Sequence, residues 1–111
     1  MQHTMNLHDA PFCKIKSGLK RVEMRLFDDR RKGIKVGDTI LFTNNSTAEQ
    51  MVVEVTSIEV FATFEQLYNC YDKVDIGYMP EDEANPEDML MYYTKEQIAQ
   101  NGVVAIGVKV Q

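Results

Sequence analysis

Hydrophobic positions change period several times along the chain, and each change marks an element. Over 20–27, "KRVEMRLF", Val22, Met24 and Leu26 alternate with Arg21, Glu23 and Arg25. This is the pattern of a half-buried strand with a charged outer face. "VGDTILFTN" predicts a second strand with Ile40 and Phe42 inward, and "DDRRKG" between the two reads as a turn. After the turn cluster "NNST", the β-branched run "MVVEVTSIEVFA" predicts a long third strand, bent or bulged along its length. The period then changes to that of a helix. Phe64, Leu67, Tyr68 and Tyr71 stand at i, i+3, i+4 and i+7, and Thr63 with Gln66 has the spacing of a capping box. "DIGYMPEDEANPEDM" reads as an acidic loop, Thr94 with Gln97 opens a short helix closed by "NG", and "VVAIGVKV" ends the chain as a strand tied into the sheet. Ahead of all this, Asp9 followed by "APFCKIKSG" predicts a short helix. Asp9 is its cap, Pro11 lies in its first turn, Gly18 ends it, and Phe12 and Ile15 form its apolar face.

These elements add up to an α+β domain, with short helices in the connections of a small mixed β-barrel that hides its strand edges. At 111 residues, 44% hydrophobic and 26% charged, the chain has the composition of one ordinary globular domain over 1–111. No apolar run is long enough to span a bilayer. "MQHTMNLHDAP" has neither the basic nor the apolar region of a secretory signal. Cys13 and Cys70 read as buried, reduced thiols, which fits a cytoplasmic location.

The net charge of -5 hides an asymmetry. Residues 14–35 hold nine basic and three acidic groups, while the rest of the chain holds three basic and fourteen acidic. A local excess of this size can focus positive potential on an acidic protein.

The octapeptide "GLKRVEMR", Gly18 to Arg25, resembles the G-x-K-x-x-E-x-R motif of ASCH domains, which have a PUA-like barrel. "APFCKIKSG" before it and "VGDTILF" after it are similar to the family's first helix and following strand, so the likeness runs from about Leu7 to Val110. The resemblance implies binding of RNA, a nucleotide or a nucleoside in a cleft beside the motif, with no cofactor. Some small bacterial ASCH proteins are amidohydrolases that deacylate N4-acetylcytidine. They use a lysine, a threonine and a later glutamate. Carried onto this chain, these catalytic positions fall on Lys20, Glu23 and Asp75, so an acid replaces the threonine.

Each candidate also has a plainer reading. Lys20 could reach the cleft as a base or phosphate contact, or be an exposed lysine favoured by a helix C-terminus. Glu23 and Arg25 share a strand face and could converge on a ligand, the arginine as a bidentate fork, or form a surface ion pair. Arg30 and Arg31, with Lys32, would contact phosphate from a hairpin tip or simply keep a turn solvated. Phe64, Tyr68 and Tyr71 read as core. Of the adjacent pair Tyr92 and Tyr93, one could stack on a base, and Tyr93 is the candidate. His3 and His8 have no partners at ligand spacing, so no metal site is expected. Two functions follow, binding first and hydrolysis of an N4-acylated cytidine-type nucleoside second. A protein-interaction module is a weaker third.

Overall fold

A computed structural model describes residues 1–111. Its strands are β1 (Gln2–Leu7), β2 (Val22–Leu26), β3 (Thr39–Asn44), β4 (Gln50–Phe61) and β5 (Val103–Val110). The helices are α1 (Asp9–Ser17), α2 (Asp29–Lys32), α3 (Phe64–Cys70) and α4 (Lys95–Asn101), and a 3-10 turn covers Pro86–Met91. The strands form one curled sheet in the order β1-β3-β4-β5-β2. β1 runs parallel to β3, and every other pair is antiparallel. The expected α+β architecture is present as a half-barrel whose two end strands, β1 and β2, flank an open seam.

β5 explains the sheet's two-sided burial. Val104, Ile106 and Val108 enter one hydrophobic cluster with Phe12 and Ile15 of α1 and with Ile40, Phe42, Val53 and Val55. Val103 and Ala105 enter a second cluster on the other face, with Val22, Met24, Leu26, Phe64 and Leu67. A strand covered on both faces needs apolar residues at successive positions, which is why "VVAIGV" does not alternate. The C-terminal strand is thus tied between β4 and β2, as its sequence led us to expect. The register of β4 against β5 shifts between Val55 and Ser57. The bulge expected in the long third strand therefore lies at Thr56.

Several expectations change. β1 was not foreseen, although Met5 and Leu7 alternate with exposed neighbours. β2 and β3 are not partners in the sheet, so "DDRRKG" is no hairpin tip. It holds α2, capped by the Asp28 side chain, which accepts from the Arg31 N–H. The cap of α1 is His8, without a side-chain bond; Asp9 instead accepts from Asn44 Nδ2 at 2.9 Å. Gly18 ends α1 at φ +86°, a left-handed position that favours glycine. Thr63 caps α3, but Gln66 turns its side chain to the Ala62 N–H, so the reciprocal box is incomplete. The box at Thr94 and Gln97 is complete. Part of the acidic loop winds into the 3-10 turn, where Met89 is buried. Both cysteines are free, and both are exposed rather than buried. No helix is long and apolar enough to cross a membrane.

Candidate functional site

The alternation of β2 decides where its charges go. Val22, Met24 and Leu26 pack outward under α3, so Glu23 and Arg25 turn to the inner face, opposite Ile106 and Val104 of β5. There they meet the open seam instead of bulk water. The charged face predicted as solvated is therefore largely buried: Glu23 is 4% exposed and Lys20 is 8% exposed. Three short bonds hold the group together. Lys20 Nζ donates to Glu23 Oε1 at 2.8 Å, and Arg25 donates to Glu23 Oε2 through Nε at 2.9 Å and Nη2 at 2.8 Å. Arg25 Nη2 also reaches across the seam to the Asn6 carbonyl of β1 at 2.9 Å. A side chain thus spans the gap that no strand ladder closes.

Burial alone would push the Glu23 carboxyl up. The adjacent Lys20 and Arg25 charges and their hydrogen bonds overcome this and hold it at about 2. One carboxylate between two cations leaves the group net positive. It also leaves donor capacity unused, because an ammonium has three N–H groups and a guanidinium five. Lys20 makes one of its possible bonds here, and Arg25 Nη1 makes none.

Above this floor opens a cleft of about 450 Å³, within the size range of small-molecule sites. One wall is the start of α1, with His8, Ala10 and Lys14; the other comes from Tyr68, Tyr78 and the segment Asp88–Tyr93. Lys14 Nζ donates to the Gly77 carbonyl at 2.8 Å, which fixes the loop after α3 against α1. Gly77 itself sits at φ +114°, and a Cβ there would stand 3.2 Å from Lys20 Cδ, so glycine makes room for the Lys20 side chain.

The predicted site residues therefore separate. Lys20, Glu23, Arg25 and Tyr93 line the cleft. Gly18 is outside it and serves as the helix cap. Asp75 is outside it too; its carbonyl accepts from the Arg21 and Val22 N–H groups and anchors the start of β2. Arg30 is exposed on α2, away from the cleft. Arg31 is turned to Asp28 Oδ2 at 2.8 Å. The basic run does not stay together as one surface, and only Lys14, Lys20 and Arg25 reach the cleft.

The aromatic residues divide differently from their sequence reading. Phe64 is core. Tyr68 is half-buried at the cleft wall, its hydroxyl 2.9 Å from that of Tyr78. Tyr93 stacks on Phe64 with ring centroids 6.1 Å apart, whereas Tyr92 is the exposed member of the pair and stands 6.2 Å from the His8 ring. The sequence does not mark Lys14, His8, Tyr78 and Asp88 as cleft residues: it offers His8 only as a metal-ligand candidate without partners and Asp88 only as part of an acidic loop. They come from three separate segments with no common spacing, and only the fold brings them together.

A half-barrel of mixed strands, plugged by a helix and open at a charged seam, defines a PUA-like α+β protein. The ASCH domain family model matches residues 5–111, and the chain belongs to that family. Among solved structures it is similar to the hypothetical protein PH0355, with 27% identity, TM-score 0.87 and 100% coverage of both chains. It is likewise similar to protein PF0455 from Pyrococcus furiosus, with 27% identity, TM-score 0.75, and 99% and 97% of the two chains covered. An ASCH domain from Lactobacillus crispatus shares the fold at 16% identity and TM-score 0.68, over 98% of this chain and 79% of its own. No curated protein matches the sequence.

Proposed function

We propose that this ASCH domain binds a nucleotide or a short RNA element in the cleft beside Lys20, Glu23 and Arg25. The observation that carries the reading is the floor itself. It is a largely buried, net-positive group with unused N–H donors, set under a cleft rimmed by His8 and Tyr92. Such donors suit phosphate or ribose oxygens, and the aromatic rim suits a planar base.

The same group favours binding over hydrolysis. A general base works best when its pKa lies near the working pH. Glu23 is held ionised at about 2, and both of its oxygens already accept hydrogen bonds. The position also has no hydroxyl. Asp75 does not face the cleft, so the three positions implied by the hydrolase resemblance do not converge.

The test is calorimetric titration of the protein with nucleoside monophosphates and short RNA, beside an ultraviolet time course with N4-acetylcytidine. Saturable binding that is lost in Arg25→Ala, with no cytidine released, is the expected result. Cytidine release by the parent but not by Lys20→Ala would replace the binding reading with amidohydrolysis.

A further inference from the structure

The cleft carries charges of both signs. Its cations, Lys14, Lys20 and Arg25, come from α1 and β2. Besides Glu23, the 3-10 turn supplies the cleft's other carboxylate, Asp88. Asp88 belongs to a loop that reads in sequence as solvated acid, yet it is built into the wall. Tyr78 Oη lies 2.7 Å from Asp88 Oδ2, 3.1 Å from the Asn85 carbonyl and 2.9 Å from Tyr68 Oη.

A phenol has one proton. The charged acceptor takes it most strongly, so Tyr78 donates to Asp88 and Tyr68 donates to Tyr78. Burial pushes both phenols up from their ordinary value, so both keep their protons at neutral pH. This chain fixes Asp88 Oδ2 and leaves Oδ1 without a protein partner.

We infer that Asp88 is a base-specificity residue: its free Oδ1 accepts a hydrogen bond from the exocyclic amino group of a nucleobase whose phosphate meets the spare donors of Lys20 and Arg25. The inference rests on the nucleotide-binding reading above and adds the chemical class of the base. Cytosine, adenine and guanine each carry such an amine. Uracil has no exocyclic amine: it places the O4 carbonyl where cytosine has N4, which a carboxylate repels, and keeps only the ring N3–H as a donor. A site built to receive a donor discriminates against a ligand lacking it because its polar group is then left unpaired. Asp88 is solvent-exposed, and water competes for the same oxygen, so the discrimination lies near the low end of its usual range. Tyr78 touches Asp88 and acts as a positioning residue.

The experiment compares CMP, AMP, GMP and UMP by calorimetry against the parent, Asp88→Asn and Tyr78→Phe, with melting curves to establish that each variant is folded. The parent is expected to bind the amine-bearing nucleotides about tenfold more tightly than UMP. Asp88→Asn turns an acceptor into a donor while keeping the shape, so it should bring UMP level with CMP or ahead of it. Tyr78→Phe should narrow the parent's ratio without reversing it, an effect that a purely structural loss would not produce. UMP binding as tightly as CMP in the parent overturns the assignment of Asp88 while nucleotide binding stands. Equal losses for all four nucleotides in Asp88→Asn also overturn it. No binding of any nucleotide or RNA would overturn the site and this inference together.

Discussion

Glu23 is a carboxylate almost out of water, with Lys20 on one oxygen and Arg25 on the other. A charge in that position stabilises the fold only while both partners remain, because desolvation is offset solely by their attraction. Its folded pKa of about 2 lies below the ordinary 4.5. A depressed carboxyl contributes stability that is fully present above its ordinary value and is lost as pH falls through the folded value. The contribution, on the order of 3 kcal/mol, should therefore vanish between about pH 4.5 and pH 2. Glu23→Gln keeps the shape but leaves the buried Lys20 and the part-buried Arg25 without a counter-charge, so it should cost about 3 kcal/mol at pH 7, the low end for breaking a buried pair. Urea unfolding of both proteins across that range should show the difference closing as the parent's carboxyl protonates. A gap that stays constant down to pH 2.5 would mean that the triad does not contribute as its geometry indicates. Subtracting the variant also removes the parallel acid sensitivity of Asp38, whose carboxyl is lowered by hydrogen bonds from His3 and the Lys35 N–H.

At the scale of elements, the bulge in β4 depends on a residue of its neighbour. The ladder pairs Val55 with Val108 and then Ser57 with Gly107, so Thr56 is the extra residue. A Cβ at position 107 would lie 2.2 Å from Ser57 Oγ and 2.8 Å from Thr56 Oγ1. Gly107→Ala should thus destabilise the sheet by about 1–3 kcal/mol, measured by chemical denaturation. Adding Ser57→Ala removes the closer clash and should recover part of that loss; full additivity of the two changes would place the strain elsewhere. The bulge is also a useful gauge of what periodicity reveals. Strand identity in β2 to β5 was legible because period-two alternation and β-branched runs are local signals. The partners of each strand were not. "DDRRKG" looks like a hairpin turn to any local reading, and only the long-range pairing of β2 with β5 excludes that. The same limit governed the site. Glu23 and Arg25 were correctly placed on one face of β2, yet which face meets water depends on α3 covering the other. β1 was missed because three exposed residues in its short run leave little apolar signal.

The whole molecule sets what can reach this cleft. Outside residues 14–35 the chain carries fourteen acidic and three basic groups, and within them the structure disperses the positive excess. Lys16 pairs with Glu49, Arg31 with Asp28 and Lys32 with Asp29, while Arg30 is exposed elsewhere. Of the nine basic residues over 14–35, only Lys14, Lys20 and Arg25 line the cleft. A polyanion gains affinity from each phosphate that meets a cation and loses it where phosphates face carboxylates. Lengthening a bound RNA should consequently bring little, because the chain outside residues 14–35 carries fourteen acidic groups against three basic ones. The expectation is that a ten-nucleotide RNA binds within about threefold of a dinucleotide, per molecule. The logarithm of the binding constant should fall with the logarithm of salt at a slope of about -0.7 to -1.4, corresponding to one or two phosphate contacts on a single strand. Fluorescence anisotropy with labelled RNAs of both lengths, between 50 and 300 mM salt, measures both quantities. A slope steeper than about -4, with affinity climbing as the RNA grows, would require a basic surface that this arrangement of charges does not provide. It would also move the recognition site away from the cleft.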